Sequence, residues 1–267
     1  VPTAALNGID VYYERAGDGP PLLFVNGSGS TLTEAAPVLD RLRRHFDVLA
    51  HDQRGLGRTS IPEGPFTMAE YAADAMALAD HVGWDRFRLL GISFGGMVAQ
   101  ELAVTVPERI ERLALLVTSS GGGGGASYPL HTLADLPADE RAAAGQLLMD
   151  TRFTPEFLAA HPGERAMAEA FASRSAVAKS PEVLRGERRQ LEARSHHDVY
   201  DRLPRITCPT FVGSGRYDGI APLANGEAIA SRIPHAELHV YEGGHGYLYQ
   251  DRRGFPDVIE FLLGAAG

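Results

Sequence analysis

The 267-residue chain is 44% hydrophobic and 22% charged, an ordinary globular composition with room for one large α/β domain or a domain plus an insertion. A net charge of −9, with Lys179 the only lysine and no basic block, argues against a nucleic-acid or anionic-membrane surface and leaves a small molecule as the expected partner. The single cysteine, Cys208, rules out a disulfide framework within the chain and points to a reducing, cytoplasmic compartment, with no apolar window long enough for a membrane span and no basic-then-apolar leader.

Asn7-Gly8 between Ala4–Leu6 and Ile9–Tyr13 predicts a β-hairpin, because that dipeptide takes the positive φ angles of a two-residue turn. Continuous apolar runs at Leu22–Val25 and Phe46–Ala50 predict buried strands. Thr67-Met68-Ala69-Glu70 is a capping box, and Met68, Tyr71, Ala75, Leu78, Ala79 and Val82 share one face of the helix it opens. A strand at Phe87–Leu90, a helix from Met97 to Val106 and a strand at Leu113–Thr118 follow. Apolar strands without polar alternation, separated by helices, predict a mostly parallel sheet covered on both faces. Gly121–Gly125 predicts a flexible connection. Residues from about 126 to 204 read as helical, with helices starting near Pro137, Pro155 and Pro181, where proline suits a first turn. Strand patterns resume at Thr210–Gly213 and Glu237–Tyr241, before a last helix at Phe255–Leu263. The expected organisation is an α/β core, residues 1–120 and 205–267, divided after its sixth strand by a helical cap, residues 121–204.

The pattern Gly91-Ile92-Ser93-Phe94-Gly95 lies between a strand and a helix, where G-x-S-x-G presents a serine hydroxyl on a sharp turn. The same five residues also fit a plain glycine-rich turn or a phosphate cradle, and it is the flanking elements that favour a nucleophile. A serine needs a base, and the base an orienting acid. His245, in Glu242-Gly243-Gly244-His245-Gly246, follows the last strand at the carboxyl edge of the sheet, as Ser93 does. Asp218 follows the strand at Thr210–Gly213 at the same edge, whereas no carboxylate follows the sixth strand in Thr118-Ser119-Ser120. The alternatives are an incidental loop histidine and an aspartate capping a helix near Pro222. The small-residue loop Asn26-Gly27-Ser28-Gly29-Ser30 suits an oxyanion donor, and the backbone N–H groups of Ser28 and Phe94 are the expected pair.

These segments, with the loop Asp52-Gln53-Arg54-Gly55-Leu56-Gly57-Arg58-Thr59-Ser60, resemble the α/β-hydrolase fold superfamily across both parts of the core. The resemblance implies a mostly parallel eight-stranded sheet flanked by helices, a helical cap after strand 6, and cofactor-independent chemistry with no metal. It is closest to small capped members: 3-oxoadipate enol-lactonases, carboxylesterases, meta-cleavage-product hydrolases and cofactor-free haloperoxidases. In such families Asp52 and Arg54 are structural. Epoxide hydrolases and haloalkane dehalogenases carry Asp where Ser93 stands. Asn26 replaces the usual His before Gly27, and Gly246 then Tyr247 replace the Trp that meta-cleavage-product hydrolases place after the histidine.

Other residues read two ways. Phe94 and Met97 are placed by the elbow as pocket residues, with Asn26 and Tyr247 as further pocket candidates. Phe153 and Phe157 line an acyl pocket or form the insertion's own core. His196-His197-Asp198 reads as a solvated helix end, since no third ligand is spaced for a metal. Cys208 opens an apolar run and reads as a buried structural thiol. The expected activity is hydrolysis of a carboxylic ester or lactone of a small, partly apolar substrate through an acyl-enzyme. A triad-dependent C–C hydrolase or a non-hydrolytic cyclase or lyase is the alternative among enzymes, and a small-ligand-binding protein on the same fold the alternative of another class. Monomer and homodimer are both compatible with the sequence.

Overall fold

In each central strand, successive side chains enter different cores. Leu23, Val25, Leu89 and Leu115 face one side of the sheet, while Leu22, Phe24, Leu90 and Leu116 face the other. That alternation of two apolar faces lets helices cover both sides. The computed structural model describes residues 2–175 and 179–264. Its eight strands are β1 (Thr3–Leu6), β2 (Ile9–Ala16), β3 (Pro21–Val25), β4 (Asp47–His51), β5 (Phe87–Ile92), β6 (Ile110–Leu116), β7 (Thr210–Gly215) and β8 (Ala236–Tyr241). They form one sheet in the order β1-β2-β4-β3-β5-β6-β7-β8, antiparallel at β1–β2 and β2–β4 and parallel elsewhere. Asn7 and Gly8 have φ of 49° and 77° and close the β1–β2 hairpin with Leu6 opposite Ile9.

The core helices are α1 (Leu32–Leu42), α2 (Met68–His81) and α3 (Phe94–Thr105). After β6 come α4 (Ala138–Met149), α5 (Pro155–Ala160), α6 (Pro162–Ser175) and α7 (Pro181–Ser195), and after β7 come α8 (Leu223–Arg232), α9 (Tyr247–Gln250) and α10 (Gly254–Leu263). Helices α2, α3 and α8 cover one face of the sheet, α1 and α10 the other. Helix α3 is buried on nearly every side, which explains its lack of a polar stripe. The sequence reading misses α1, because Pro37 stands inside it. Its signal is present all the same: Thr31 N–H donates to Glu34 Oε2 at 2.8 Å in a capping box, and Leu32, Ala35, Val38, Leu39 and Leu42 share the buried face.

The loop after β4 is a brace. Asp52 accepts from Leu32 N at 2.7 Å and from Arg58 N at 2.9 Å. Arg54 forks onto Asp74 at 2.7 and 3.0 Å and reaches Glu70 at 2.8 Å. Burial pushes the Cys208 thiol pKa up, so no reactive thiolate forms there.

Two expectations are corrected. The run Gly121–Gly125 is a tightly packed turn, not a loose connection: a Cβ on Gly121 would overlap His197 O, and one on Gly124 would overlap Ser120 Oγ. His197 is not solvated but 7% exposed, because the chain after α7 folds back under that turn, where Val199 N donates to Ser120 O at 2.9 Å.

Burial lowers the pKa of both His51 and His197 from 6.5 to about 4. Between those values the unfolded chain binds protons that the folded chain refuses, so stability is complete above about pH 6.5 and falls as the pH drops toward 4. Each histidine contributes on the order of 3 kcal/mol to that fall. Urea unfolding at pH 7 and 4.5 checks it, and His51→Gln should recover part of the loss at pH 4.5. An unchanged midpoint would contradict the assignment.

Candidate active site

Strand β5 ends at Ile92 and α3 begins at Phe94, so Ser93 alone makes the turn, with φ 55° and ψ −116°. A non-glycine residue in that region is strained, and the packing around it enforces the conformation. A Cβ on Gly95 would overlap Val25 O, one on Gly91 would overlap Gly95 O, and one on Gly96 would press on Thr118. The glycines therefore let α3 start directly against the ends of β3 and β6. Ser93 N donates to Leu116 O at 2.8 Å, and Thr118 Oγ1 donates to Ser93 O at 2.8 Å. Val117, also at positive φ (47°), is held by its N–H bond to Gly213 O at 2.8 Å.

The side chains of Ser93, His245 and Asp218 meet although they lie far apart in the chain. His245 Nε2 is 3.0 Å from Ser93 Oγ, and His245 Nδ1 is 2.8 Å from Asp218 Oδ2. Asp218 is 4% exposed, and its Oδ1 accepts from Ile220 N at 2.8 Å and Ala221 N at 2.9 Å. The carboxylate thus caps the turn before α8 with one oxygen and holds the imidazole with the other. The helix-capping alternative is not what is seen: α8 has Pro222 at its N-cap with no side-chain cap, and Asp218 Oδ1 binds the turn before it. The His245 loop is held by Gly244 N to Gln250 Oε1 at 2.8 Å and by His245 N to Met149 O at 2.6 Å. Met149, which ends α4, is a support that no sequence pattern marks.

The loop after β3 lies beside Ser93: a Cβ built on Gly27 would stand 3.6 Å from Ser93 Cβ. Asn26 Oδ1 accepts from Gly27 N at 2.9 Å and Asn26 Nδ2 donates to Thr31 O at 3.4 Å, so Asn26 closes the loop on itself. Gly29 N donates to Gln190 Oε1 of α7 at 2.7 Å. Ser28 N has no protein acceptor among the described residues, and Phe94 N belongs to the first helical turn, which has no intrahelical acceptor.

The pocket candidates divide. Met97 lines a cavity of about 190 Å³ with Ser119, Tyr128, Leu191, Arg194 and His197. Phe94 points its ring into the main core, edge-on to Tyr71 at 4.9 Å. Tyr247 is not in the pocket: it is fully buried in the other core, stacked on Tyr241 at 4.5 Å, because α9 turns its ring under the sheet. Phe153 and Phe157 pack with Leu158, Met167 and Ala168 in a separate small core, so their apolar surface is spent within the helical segment. Nothing in the sequence distinguishes Gln190 and Arg194 from the other polar residues of α7. Among the described residues no cluster of three His, Cys, Asp or Glu side chains is placed to hold a metal, and no helix is long and apolar enough to cross a membrane.

The family model for the alpha/beta hydrolase fold matches residues 20–251. A 3-oxoadipate enol-lactonase 2 of Acinetobacter baylyi is 27% identical over 258 residues, which cover 92% of this chain and 89% of that protein. A poly(3-hydroxyalkanoate) depolymerase of Ectopseudomonas oleovorans is 28% identical, over 91% of this chain and 84% of its own length. Among solved structures, the enol-lactonase from Burkholderia xenovorans LB400 matches with a TM-score of 0.79 at 25% identity, covering 98% of this chain and all of that one. With its eight-stranded sheet, its serine turn between β5 and α3 and this match over most of its length, the chain belongs to the alpha/beta hydrolase fold family and is a hydrolase.

Proposed function

We propose that this chain hydrolyses a small carboxylic ester or lactone through an acyl-enzyme on Ser93. The observation that carries the reading is the pair of contacts at His245, 3.0 Å to Ser93 Oγ and 2.8 Å to Asp218 Oδ2. Ser93 Oγ attacks the carbonyl carbon while its proton passes to His245 Nε2. The carbonyl oxygen becomes an oxyanion held by the N–H groups of Ser28 and Phe94, each worth about 3–4 kcal/mol in the transition state. The C–O bond then breaks, and His245 returns its proton to the leaving alcohol, or to the freed hydroxyl end of an opened lactone. A water gives its proton to His245 and attacks the acyl group, and the acid leaves as Ser93 regains its hydrogen. Asp218 orients the imidazole and stabilises its charged form throughout.

Residues 121–204 act as a cap over the core of residues 1–120 and 205–267, shaping the pocket and excluding water. Supporting that division, α7 bonds to the β3 loop through Gln190, and Met149 reaches the His245 loop. The enol-lactonase names among the relatives favour a lactone or ester. A C–C hydrolase reading draws on 28% identity to a 2-hydroxy-6-oxo-2,4-heptadienoate hydrolase of Pseudomonas putida, and product analysis separates the two.

A fluorophosphonate should label the protein once, with the adduct on Ser93 in a peptide map, and labelling should abolish ester turnover in proportion. A fully labelled enzyme that keeps its esterase rate would refute the acyl-enzyme.

A further inference from the structure

Asp218 and His245 stand on loops that leave the sheet where its pairing stops. Strands β7 and β8 stay in register as far as Gly215 opposite Tyr241, and Tyr217 N donates to Gly243 O at 2.9 Å just beyond. From there the end of α4 takes over. Gly219 N donates to Leu148 O at 3.0 Å, His245 N to Met149 O at 2.6 Å, and Thr151 N to Tyr217 O at 2.9 Å. Residues 148–151 are therefore bonded to the acid loop on both sides of Asp218 and to the backbone of the base itself. A Cβ on Gly244 would overlap Met149 O, so the two segments meet without spare room.

The side chain of Asp150 completes this strut. It is fully buried, and Arg152 meets its charge, with Nε 2.9 Å from Oδ1 and Nη2 2.6 Å from Oδ2. The same guanidinium lies 3.9 Å from the centre of the Tyr217 ring. Asp150 Oδ2 also accepts from Gln250 Nε2 at 2.8 Å, and Glu164 Oε2 accepts from that nitrogen at 3.1 Å. Ionised carboxylates only accept, so the Gln250 amide has one orientation, with Oε1 turned to Gly244 N at 2.8 Å. Glycines at 243, 244 and 246 leave the histidine loop few side chains of its own to brace it, and such a loop needs bonds from outside to hold one conformation.

We infer that Asp150 is a positioning residue for His245, acting through Gln250 on the backbone of Gly244. Among the described residues neither side chain bonds to Ser93, to Asp218 or to the imidazole. The effect on rate rests on the serine-hydrolase reading; the effect on the imidazole does not. His245 must accept from Ser93 and donate to Asp218 at once, so a shift of its loop lengthens both bonds, and a misplacement of about 1 Å can cost about 10²-fold in rate. Residues 148–151 thereby belong to the scaffold of the acid and the base, not only to a cover over them.

Two variants test it. Gln250→Leu removes the acceptor of Gly244 N and leaves the Asp150–Arg152 pair intact, while Asp150→Asn sets an amide nitrogen among donors. Each should lower kcat for 4-nitrophenyl acetate about 10–100-fold with KM changed less than about threefold. The double variant should fall no more than about twofold below the slower single one, because both cut the same relay. In proton NMR, the downfield signal of His245 Nδ1–H bonded to Asp218 should shift or broaden in both variants, which a mere loss of stability would not cause. A kcat loss under about tenfold in Gln250→Leu, an unmoved His245 signal, or losses that multiply in the double variant would overturn the inference. If Asp150→Asn does not fold, Gln250→Leu decides by its kcat and its signal. If the unmodified protein turns over no ester and forms no fluorophosphonate adduct, the serine-hydrolase reading fails, and the His245 signal in Gln250→Leu alone then decides the positioning role.

Discussion

Ser93→Ala is expected to lower kcat/KM for 4-nitrophenyl acetate by about 10⁴–10⁶-fold while leaving the fold intact. The fold should survive because alanine keeps the Cβ, so the positive-φ turn is no more strained than before. The backbone bond from residue 93 to Leu116 O is also kept, and among the described residues the hydroxyl contacts only His245 Nε2. What is lost is the atom that forms the covalent bond. If the proposed donors at Ser28 and Phe94 act, they would still stabilise an oxyanion, so turnover should settle above the uncatalysed rate rather than at it. Steady-state kinetics, with circular dichroism as a fold control, reads the result. Activity within tenfold of the unmodified enzyme would remove Ser93 from the chemistry.

Asp218→Asn should cost about 10⁴-fold in kcat with little change in KM. The two carboxylate oxygens have different tasks. Oδ1 takes two backbone N–H groups, of Ile220 and Ala221, and Oδ2 takes His245 Nδ1. An asparagine keeping its oxygen on the two N–H groups must turn its amide toward the imidazole. That amide donates to Nδ1, so the ring proton moves to Nε2, where it can no longer accept from Ser93. The opposite orientation sets an NH2 group against two N–H donors, a buried clash of like groups. Either way the base is lost while the backbone scaffold remains. Fluorophosphonate labelling should slow in parallel with turnover. A loss under tenfold would mean that another carboxylate orients His245.

Much of this architecture was legible in the sequence because it is written in local patterns. Asn7-Gly8 demands its hairpin, Thr67 and Glu70 cap α2, and doubly buried strands read as unbroken apolar runs. The serine turn was legible for the same reason, since Gly91, Gly95 and Gly96 stand where no Cβ fits. Helix α1 escaped because Pro37 is a strong local signal that the burial of Leu32, Val38, Leu39 and Leu42 overrides.

What the sequence by itself determined is the order of the strands and which residues stand at three strand ends, because backbone sterics and residue periodicity act over a few neighbours. What only the tertiary structure decided is where each ambiguous side chain spends its surface. Tyr247 and Phe94 went into cores, Phe153 and Phe157 into a core of their own, and His197 under a turn of glycines. Arg194, alike in sequence to its neighbours on α7, became the one whose guanidinium is buried against Ser127 Oγ and Tyr128 O. The burial of His197 and of Arg194 depends on contacts with Gly121 and Ser127, residues distant in the chain. Desolvation, which decides what a buried tyrosine or a buried arginine can do, is a property of the packed neighbourhood and not of the chain.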